Sequence, residues 1–214
     1  MILTDKISID NLIAKVQNIG DRLVGYTEKL VFSYADIISY KKVKANLEKS
    51  GINYIKWDEP LMNEFASRLS EMNRERGWNY QLATCGEKID LAKYGISHNR
   101  CVDDDLMIRF SSADKTLMDF LNVDIVNIQP SLFDDAPTLP DGAVQISENS
   151  YGIKRKNNKD KGQRQFCGCI ASKDIGQYNT CPYLCEYCYA NTSKDTAIRN
   201  FQRHRQHPDK DTII

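Results

Sequence analysis

Ile9, Leu12, Ile13, Val16, Ile19 and Leu23 recur at helical spacing, with Ser8 or Asp5 ahead of them and Gly25 behind. That period predicts an amphipathic helix, capped by a short polar side chain and stopped by glycine. A short extended segment precedes it. The run KLVFSYADI, from Lys29, is dense in β-branched and aromatic residues and predicts a buried strand. A helical pattern returns from about Ser39 to Lys49 and stops at Ser50-Gly51, and INYIKW reads as either a short strand or an extended loop. A longer helix is predicted from Glu59 to Arg76, with Asp58 as cap and Pro60 in the first turn. Leu61, Met62, Phe65, Leu69 and Met72 form its apolar stripe. Gly77 closes it, and WNYQLATC predicts the next strand.

Helix and strand thus alternate with short connections, the pattern of right-handed βα units on a parallel sheet. Beyond Cys101 the periodicity fades. Residues 120–150 read as loop, with Pro130, Pro137, Pro140 and Gly142 and acids near Asp134. The basic run KRKNNKDKGQR follows, then a cysteine-rich, polar end. The expected architecture is α/β, either a partial TIM-barrel-like fold or an open parallel sheet, with a cysteine-rich C-terminal extension folding back over the strand ends. Its predicted segments are an α/β half-barrel-like domain over 1–110, a loop-rich, variable and basic linker over 111–165, and a cysteine-rich iron–sulfur segment over 166–214. Two clear strands cannot close an eight-stranded barrel, which takes about 250 residues.

Composition narrows the class only a little. With 41% hydrophobic and 27% charged residues the chain is globular, and zero formal net charge gives no global attraction to nucleic acid or anionic membrane. Charge at Asp5 and Lys6 leaves no signal-peptide core, no run is long and apolar enough to span a bilayer, and the expected address is cytoplasmic.

Cysteine changes the picture. The count is odd, seven, and five of them fall between Cys167 and Cys188. A disulfide framework favours even counts and an oxidising compartment, so clustered thiols here point to metal or redox chemistry. Cys181, Cys185 and Cys188 have the spacing C-x3-C-x2-C inside CPYLCEYCYAN. Iron–sulfur cubanes take four thiolates when closed, so three on one loop leave one iron open to a small molecule. The competing reading is a structural zinc knuckle with Cys169 or His204 as fourth ligand, but zinc modules favour paired C-x2-C and His spacings. Cys85, Cys101, Cys167 and Cys169 remain. Four thiolates can close a second iron–sulfur cluster or a tetrahedral zinc site. A free cysteine such as Cys85 is as readily a small buried hydrophobe.

Other residues carry weaker signals. His204 and His207 lie in a basic tail and read as solvated, and His98 is near Cys101. The acids Asp103, Asp104 and Asp105 sit where a helix start uses negative charge. The basic stretch Lys154 to Arg164, with Arg199, Arg203 and Arg205, can meet phosphates. Tyr178, Tyr183, Tyr187, Tyr189 and Phe201 interleave with those charges and can stack bases. No phosphate-binding Gly-rich loop and no zinc-hydrolase helix motif occurs.

The run CPYLCEYCYAN resembles the cluster-binding loop of radical S-adenosylmethionine enzymes. That resemblance implies a [4Fe-4S] cluster on Cys181, Cys185 and Cys188, S-adenosylmethionine chelated at the open iron, and Tyr187 beside its adenine. In that superfamily, reduction of the cluster cleaves the sulfonium and generates a radical that takes hydrogen from substrate. The order differs, because those enzymes carry the loop near the start of the barrel, and no Gly-Gly-Glu run is present. The series ILTDK, GYTEKLVFSYADI, QLATCGEKIDLAKYGISHNRC and KGQRQFCGCIASKDIGQYNTCPYLCEYCYAN is similar to a bacterial family, domain of unknown function 1848, with such a loop at its C-terminus. Its members are longer, which implies that this chain is a C-terminal portion, of a split or truncated gene, and is either inactive alone or completed by another chain that supplies the missing half. The alternative is a non-catalytic iron–sulfur or zinc module that binds nucleic acid or senses redox state.

Overall fold

A computed structural model describes residues 1–128 and 139–212. Pro130, Asp134 and Pro137 lie outside the described residues. The chain divides into two compact units, one of residues 1–97 with 173–214 and one of residues 98–172. Among the described residues, no helix is long and apolar enough to cross a membrane.

The first unit opens with β1 (Leu3–Thr4), which pairs antiparallel with β3 (Tyr54–Ile55). Helix α1 (Ile9–Leu23) starts as its sequence predicts: Ser8 accepts from the Asn11 amide while the Asn11 side chain accepts from the Ser8 amide. This reciprocal pair satisfies two amide donors that no turn of helix can reach. Strand β2 (Lys29–Phe32) is shorter than KLVFSYADI suggests and only half-buried. The ladder stops because the next amides have other acceptors. Tyr34 N–H goes to the Glu87 carboxylate at 2.8 Å and Ala35 N–H to the Met1 carbonyl at 2.8 Å.

Helix α2 (Lys41–Lys49) ends in a left-handed turn at Gly51, φ +65°, where a side chain would strain the backbone. Helix α3 (Glu59–Glu75) is capped by Asp58 with Pro60 in its first turn. Strand β4 (Gln81–Thr84) runs parallel to β2 in register Leu30 to Leu82, and β5 (Ile96–His98) follows it in a three-stranded sheet of order β2-β4-β5. The α/β reading therefore holds. Among the described residues no sheet closes into a barrel.

The core of this unit is aromatic. Tyr34 and Trp57 stand 4.6 Å apart between ring centres, and Phe32 and Phe65 cross edge to face at 5.5 Å. Gly20 of α1 packs on Trp78, just beyond the end of α3. A Cβ on Gly20 would lie 2.5 Å from the Trp78 ring, and Tyr80 Oη donates to the Gly20 carbonyl at 2.7 Å. Asp21 clamps the same corner, accepting two hydrogen bonds from Arg76 at 2.7 Å and one from Trp78 Nε1 at 2.9 Å.

The second unit corrects the sequence reading. Helix α4 (Asp104–Ser111) begins at the acid run, and the segment expected as loop-rich beyond residue 110 forms helix α5 (Lys115–Leu121) and an antiparallel sheet of order β6-β8-β7. Its strands are β6 (Val123–Asn127), β7 (Val144–Ser147) and β8 (Ser150–Lys154). Asp103 caps α4, so the acid run does serve the helix start. Asp104 is buried and paired: Arg100 reaches it at 2.8 Å, Lys154 at 3.1 Å and the Asn158 amide at 3.2 Å. Arg100 and Lys154 also hold Asp105. Burial pushes the Asp105 carboxyl up, but the hydrogen bonds from those two cations outweigh it and leave the group below its ordinary range. In the first unit, residues read as a polar tail form α6 (Lys194–Gln206), capped by Ser193.

Two outcomes follow from this packing. Gly20→Ala is expected to lower stability in urea denaturation by about 1–3 kcal/mol, because the new methyl meets the Trp78 ring. An unobstructed helical glycine gains about 0.8–1.0 kcal/mol from the same change, and a gain here would contradict the contact. The depressed Asp105 carboxyl contributes stability that is complete above the unfolded value of about 3.9 and fades as pH falls through the folded value. Urea midpoints followed below about pH 4 should therefore fall less steeply in Asp105→Asn than in the parent, and equal slopes would refute the pairing.

Candidate functional site

A loop rich in thiols holds its shape only if other groups fix its backbone, and here the flanking sequence does so. Asn179 adopts left-handed φ, its N–H donates to the Ala190 carbonyl at 3.1 Å, and its side chain accepts from the Thr192 amide. The Asn191 side-chain amide donates to the Cys181 carbonyl at 2.9 Å. The two ends of the cysteine run are thereby tied into a ring, with Cys188 N–H closing a turn onto the Cys185 carbonyl at 3.0 Å. From below, Asn200 of α6 donates to the Asn179 carbonyl at 2.9 Å.

The ring is docked on α2. The Lys42 ammonium, in the first turn of that helix, donates to the carbonyls of Asn191 and, at 3.3 Å, Tyr189. Glu186 bridges the other end, accepting from Ser50 at 2.9 Å and pairing with Lys194. Those hydrogen bonds, Lys194 first, hold the Glu186 carboxyl below its usual value.

Cys181 and Cys185 are exposed and Cys188 is half-buried. Thiols at a free surface are open to an added ion or to reaction. Tyr187 stands beside them. The Cys185 sulfur, then partial burial, pushes its phenol above the usual value. Tyr187 and Glu186 also line a cavity of about 390 Å³, with Ile2, Ile7, Leu47 and Ile52 on its apolar side and Asp5 and Lys6 also on its wall. That volume lies within the range of small-molecule pockets, about 300–1,000 Å³. Asn191 Oδ1 is buried with no hydrogen-bond partner among the described residues.

The remaining predicted ligands fall apart into two groups. Cys85 belongs to the first unit, directly after β4, with its N–H extending the ladder to the Phe32 carbonyl at 3.0 Å. Cys101, Cys167 and Cys169 belong to the second unit, where they lie together. Burial raises the Cys167 thiol. Burial also acts upward on Cys169, but amide donors from Val102 and Cys101 outweigh it and lower that thiol. His204 Nδ1 is buried and without a partner among the described residues, and His207 follows the end of α6.

The sequence gives little sign of a second cavity, of about 410 Å³, lined by Tyr34, Asp36, Lys56, Trp57, Met62 and Glu87. It opens just past the ends of β2 and β4, where parallel sheets place ligands. Its available signal is positional: polar side chains immediately follow two predicted parallel strands. Burial, then the Glu87 carboxylate, raises the Tyr34 phenol well above its ordinary value.

These features define a cysteine-rich α/β protein with a preformed surface loop of thiols. The family whose model matches residues 1–190 is described as Domain of unknown function (DUF1848), and the chain belongs to that family. The match takes in all seven cysteines. No curated protein and no solved structure matches the chain.

The Lys42 anchor can be tested without any ligand. Lys42→Met removes both donations at nearly constant length. Hydrogen exchange of the Asn179 and Cys188 amides should then accelerate about tenfold, the worth of a charge-assisted bond near 1.4 kcal/mol. Unchanged exchange would show that α2 does not hold the loop.

Proposed function

We propose that Cys181, Cys185 and Cys188 hold a [4Fe-4S] cluster and that the protein is a radical S-adenosylmethionine-type enzyme, or part of one. The observation that carries this reading is the loop itself: two exposed cysteines and one half-buried one on a ring of backbone fixed at both ends, with a cavity at its flank. The donor set fits the group, since iron–sulfur clusters take thiolates, and three of them leave one iron for an exogenous ligand. When bound and reduced, such a cluster supplies the electron that cleaves the sulfonium of S-adenosylmethionine.

The protein's own residues prepare the place for it. Lys42 and Asn191 fix the loop's carbonyls, while the three sulfurs do not all lie within 4.8 Å of one another and close on the cluster by turning their side chains. Tyr187 offers an aromatic face on the wall of the adjoining cavity, and Ile7, Leu47 and Ile52 make one side of that cavity apolar. A planar base finds there a stacking surface and shelter from water. Asn191 Oδ1, buried and unpartnered, is an acceptor in reserve. Completion of the β2-β4 sheet into a barrel by a second chain carrying further βα units belongs to the same proposal.

A second reading has its own support. Tyr183 and Tyr189 are 84% and 65% exposed, and α6 beside them carries Arg199, Arg203 and Arg205. Exposed rings next to arginines suit stacking on single-stranded nucleic acid. In that case the metal is structural or senses redox state.

Anaerobic reconstitution with iron and sulfide separates the two. The enzyme reading expects about four irons and four sulfides on this loop, and 5′-deoxyadenosine after reduction with S-adenosylmethionine. Cys185→Ser should lose both. An intact reduced cluster that yields no 5′-deoxyadenosine, with salt-dependent binding to single-stranded nucleic acid, would favour the module instead.

A further inference from the structure

Three cysteines outside the loop, Cys101, Cys167 and Cys169, lie near one another in the second unit. Cys101 stands just ahead of α4, and Cys167-Gly168-Cys169 forms a hook held by its own backbone. Cys167 N–H donates to the Arg164 carbonyl at 2.9 Å, Asp160 N–H to the Cys169 carbonyl at 2.9 Å, and Ile170 N–H to the Val102 carbonyl at 3.2 Å. The last of these brings the hook against the segment that bears Cys101. There the Cys169 sulfur accepts the N–H groups of Cys101 at 3.1 Å and Val102 at 3.4 Å. Gly168 is required by this closeness, because a Cβ on it would lie 2.7 Å from Arg100 Cγ. That arginine is itself pinned by three aspartates.

A nitrogen donor lies on the same two segments. His98 precedes Cys101 by the spacing His-x2-Cys, and its ring packs on Phe166, the neighbour of Cys167, at 6.4 Å between centres. We propose that His98, Cys101, Cys167 and Cys169 form a structural zinc site, independent of the cluster proposed for Cys181, Cys185 and Cys188.

Three physical points favour it over simple packing of thiols. Packing explains one buried cysteine well, but not three that meet from two distant segments, one of them accepting two amide donors. Amide hydrogen bonds to sulfur stabilise the thiolate that a metal needs. The unit is also small, residues 98–172, and its buried apolar cluster consists of Ile108, Met118, Leu121, Val123, Val144 and Ile170. Units of that size are commonly reinforced by a metal or by cross-links. Cys₃His is a closed structural zinc set.

The sulfurs stand open: they do not all lie within 4.8 Å of one another. Three Zn–S bonds of about 2.3 Å at tetrahedral angles imply sulfur-to-sulfur edges of about 3.8 Å. Closing the set therefore takes a rotamer change at exposed Cys101, whose sulfur would give up the hydrogen bond it accepts from Asn99 at 3.6 Å. Binding releases the thiol protons to solvent as the ion takes their place.

The test uses the full chain carrying Cys181→Ser, Cys185→Ser and Cys188→Ser, so that the loop's cluster is removed. Purified anaerobically, this variant should retain about one zinc per chain and no iron or acid-labile sulfide. Adding Cys101→Ser, at the exposed and least disruptive position, should abolish the zinc, with circular dichroism reporting that the chain still folds. His98→Ala should weaken zinc at least tenfold in competition with a chromophoric chelator. Cobalt substitution gives a second readout, a thiolate-to-metal absorption band lost in Cys169→Ser. Zinc below about a tenth per chain, zinc unaffected by Cys101→Ser, or iron and sulfide in its place would each overturn the proposal. The loop's own cluster is read separately, from iron and sulfide in Cys101→Ser with the loop intact.

Discussion

The ammonium of Lys42 and the two carbonyls it captures, those of Tyr189 and Asn191, constrain everything that can be said of the cysteine loop. A short run with three thiols has many conformations, and fixing each residue costs about 1–2 kcal/mol in backbone entropy. Metal binding has to supply that free energy unless the protein has supplied it already. Here the ordering comes from α2 through Lys42 and Ser50, from α6 through Asn200 and Lys194, and from the reciprocal tie of Asn179 with Ala190 and Thr192. These contacts leave the sulfurs outward, so that the loop is shaped by its neighbours and its chemistry stays available.

The two units use different means of holding together. The first has an extended aromatic core in which Phe32, Tyr34, Trp57 and Phe65 interlock, and its polar atoms cap helices or clamp corners. The second has fewer buried apolar side chains and spends more of its contacts on charge. Asp104, almost wholly buried, is tolerated because Arg100, Lys154 and Asn158 all reach it. A buried carboxylate so paired is costly to break and serves mainly to fix one arrangement of α4 against β8. A metal joining the segments at Cys101 and Cys167 would act in the same direction.

The first unit was largely legible from its letters. Ser8, Asp58 and Pro60 mark helix starts that the structure keeps, and Phe65, Leu69 and Met72 of the α3 stripe are buried, whereas in α1 the period buries Ile9 and Leu12 but leaves Ile19 and Leu23 exposed. KLVFSYADI misled because the Glu87 carboxylate and the Met1 carbonyl, both distant in sequence, take the amides of Tyr34 and Ala35. Strands β6, β7 and β8 escaped notice for another reason. In β6 only Val123 is buried and the following residues are exposed, so no alternation survives to be read. Helix α6 buries only Ala197 and so has no apolar stripe; its signals are a capping serine and basic residues in its last turn. The grouping of Cys101 with Cys167 and Cys169 depends on a backbone contact between Val102 and Ile170, which no local pattern encodes. The family match supports the relationship read from the quoted segments and leaves chemistry to experiment.

The most direct measurement is electron paramagnetic resonance of the anaerobically reconstituted, reduced protein, before and after S-adenosylmethionine is added. A cubane on Cys181, Cys185 and Cys188 with one iron open to ligand gives a reduced-cluster signal whose g values move when that molecule binds. A signal that stays the same with the cluster intact, or no cluster signal at all, would contradict the account.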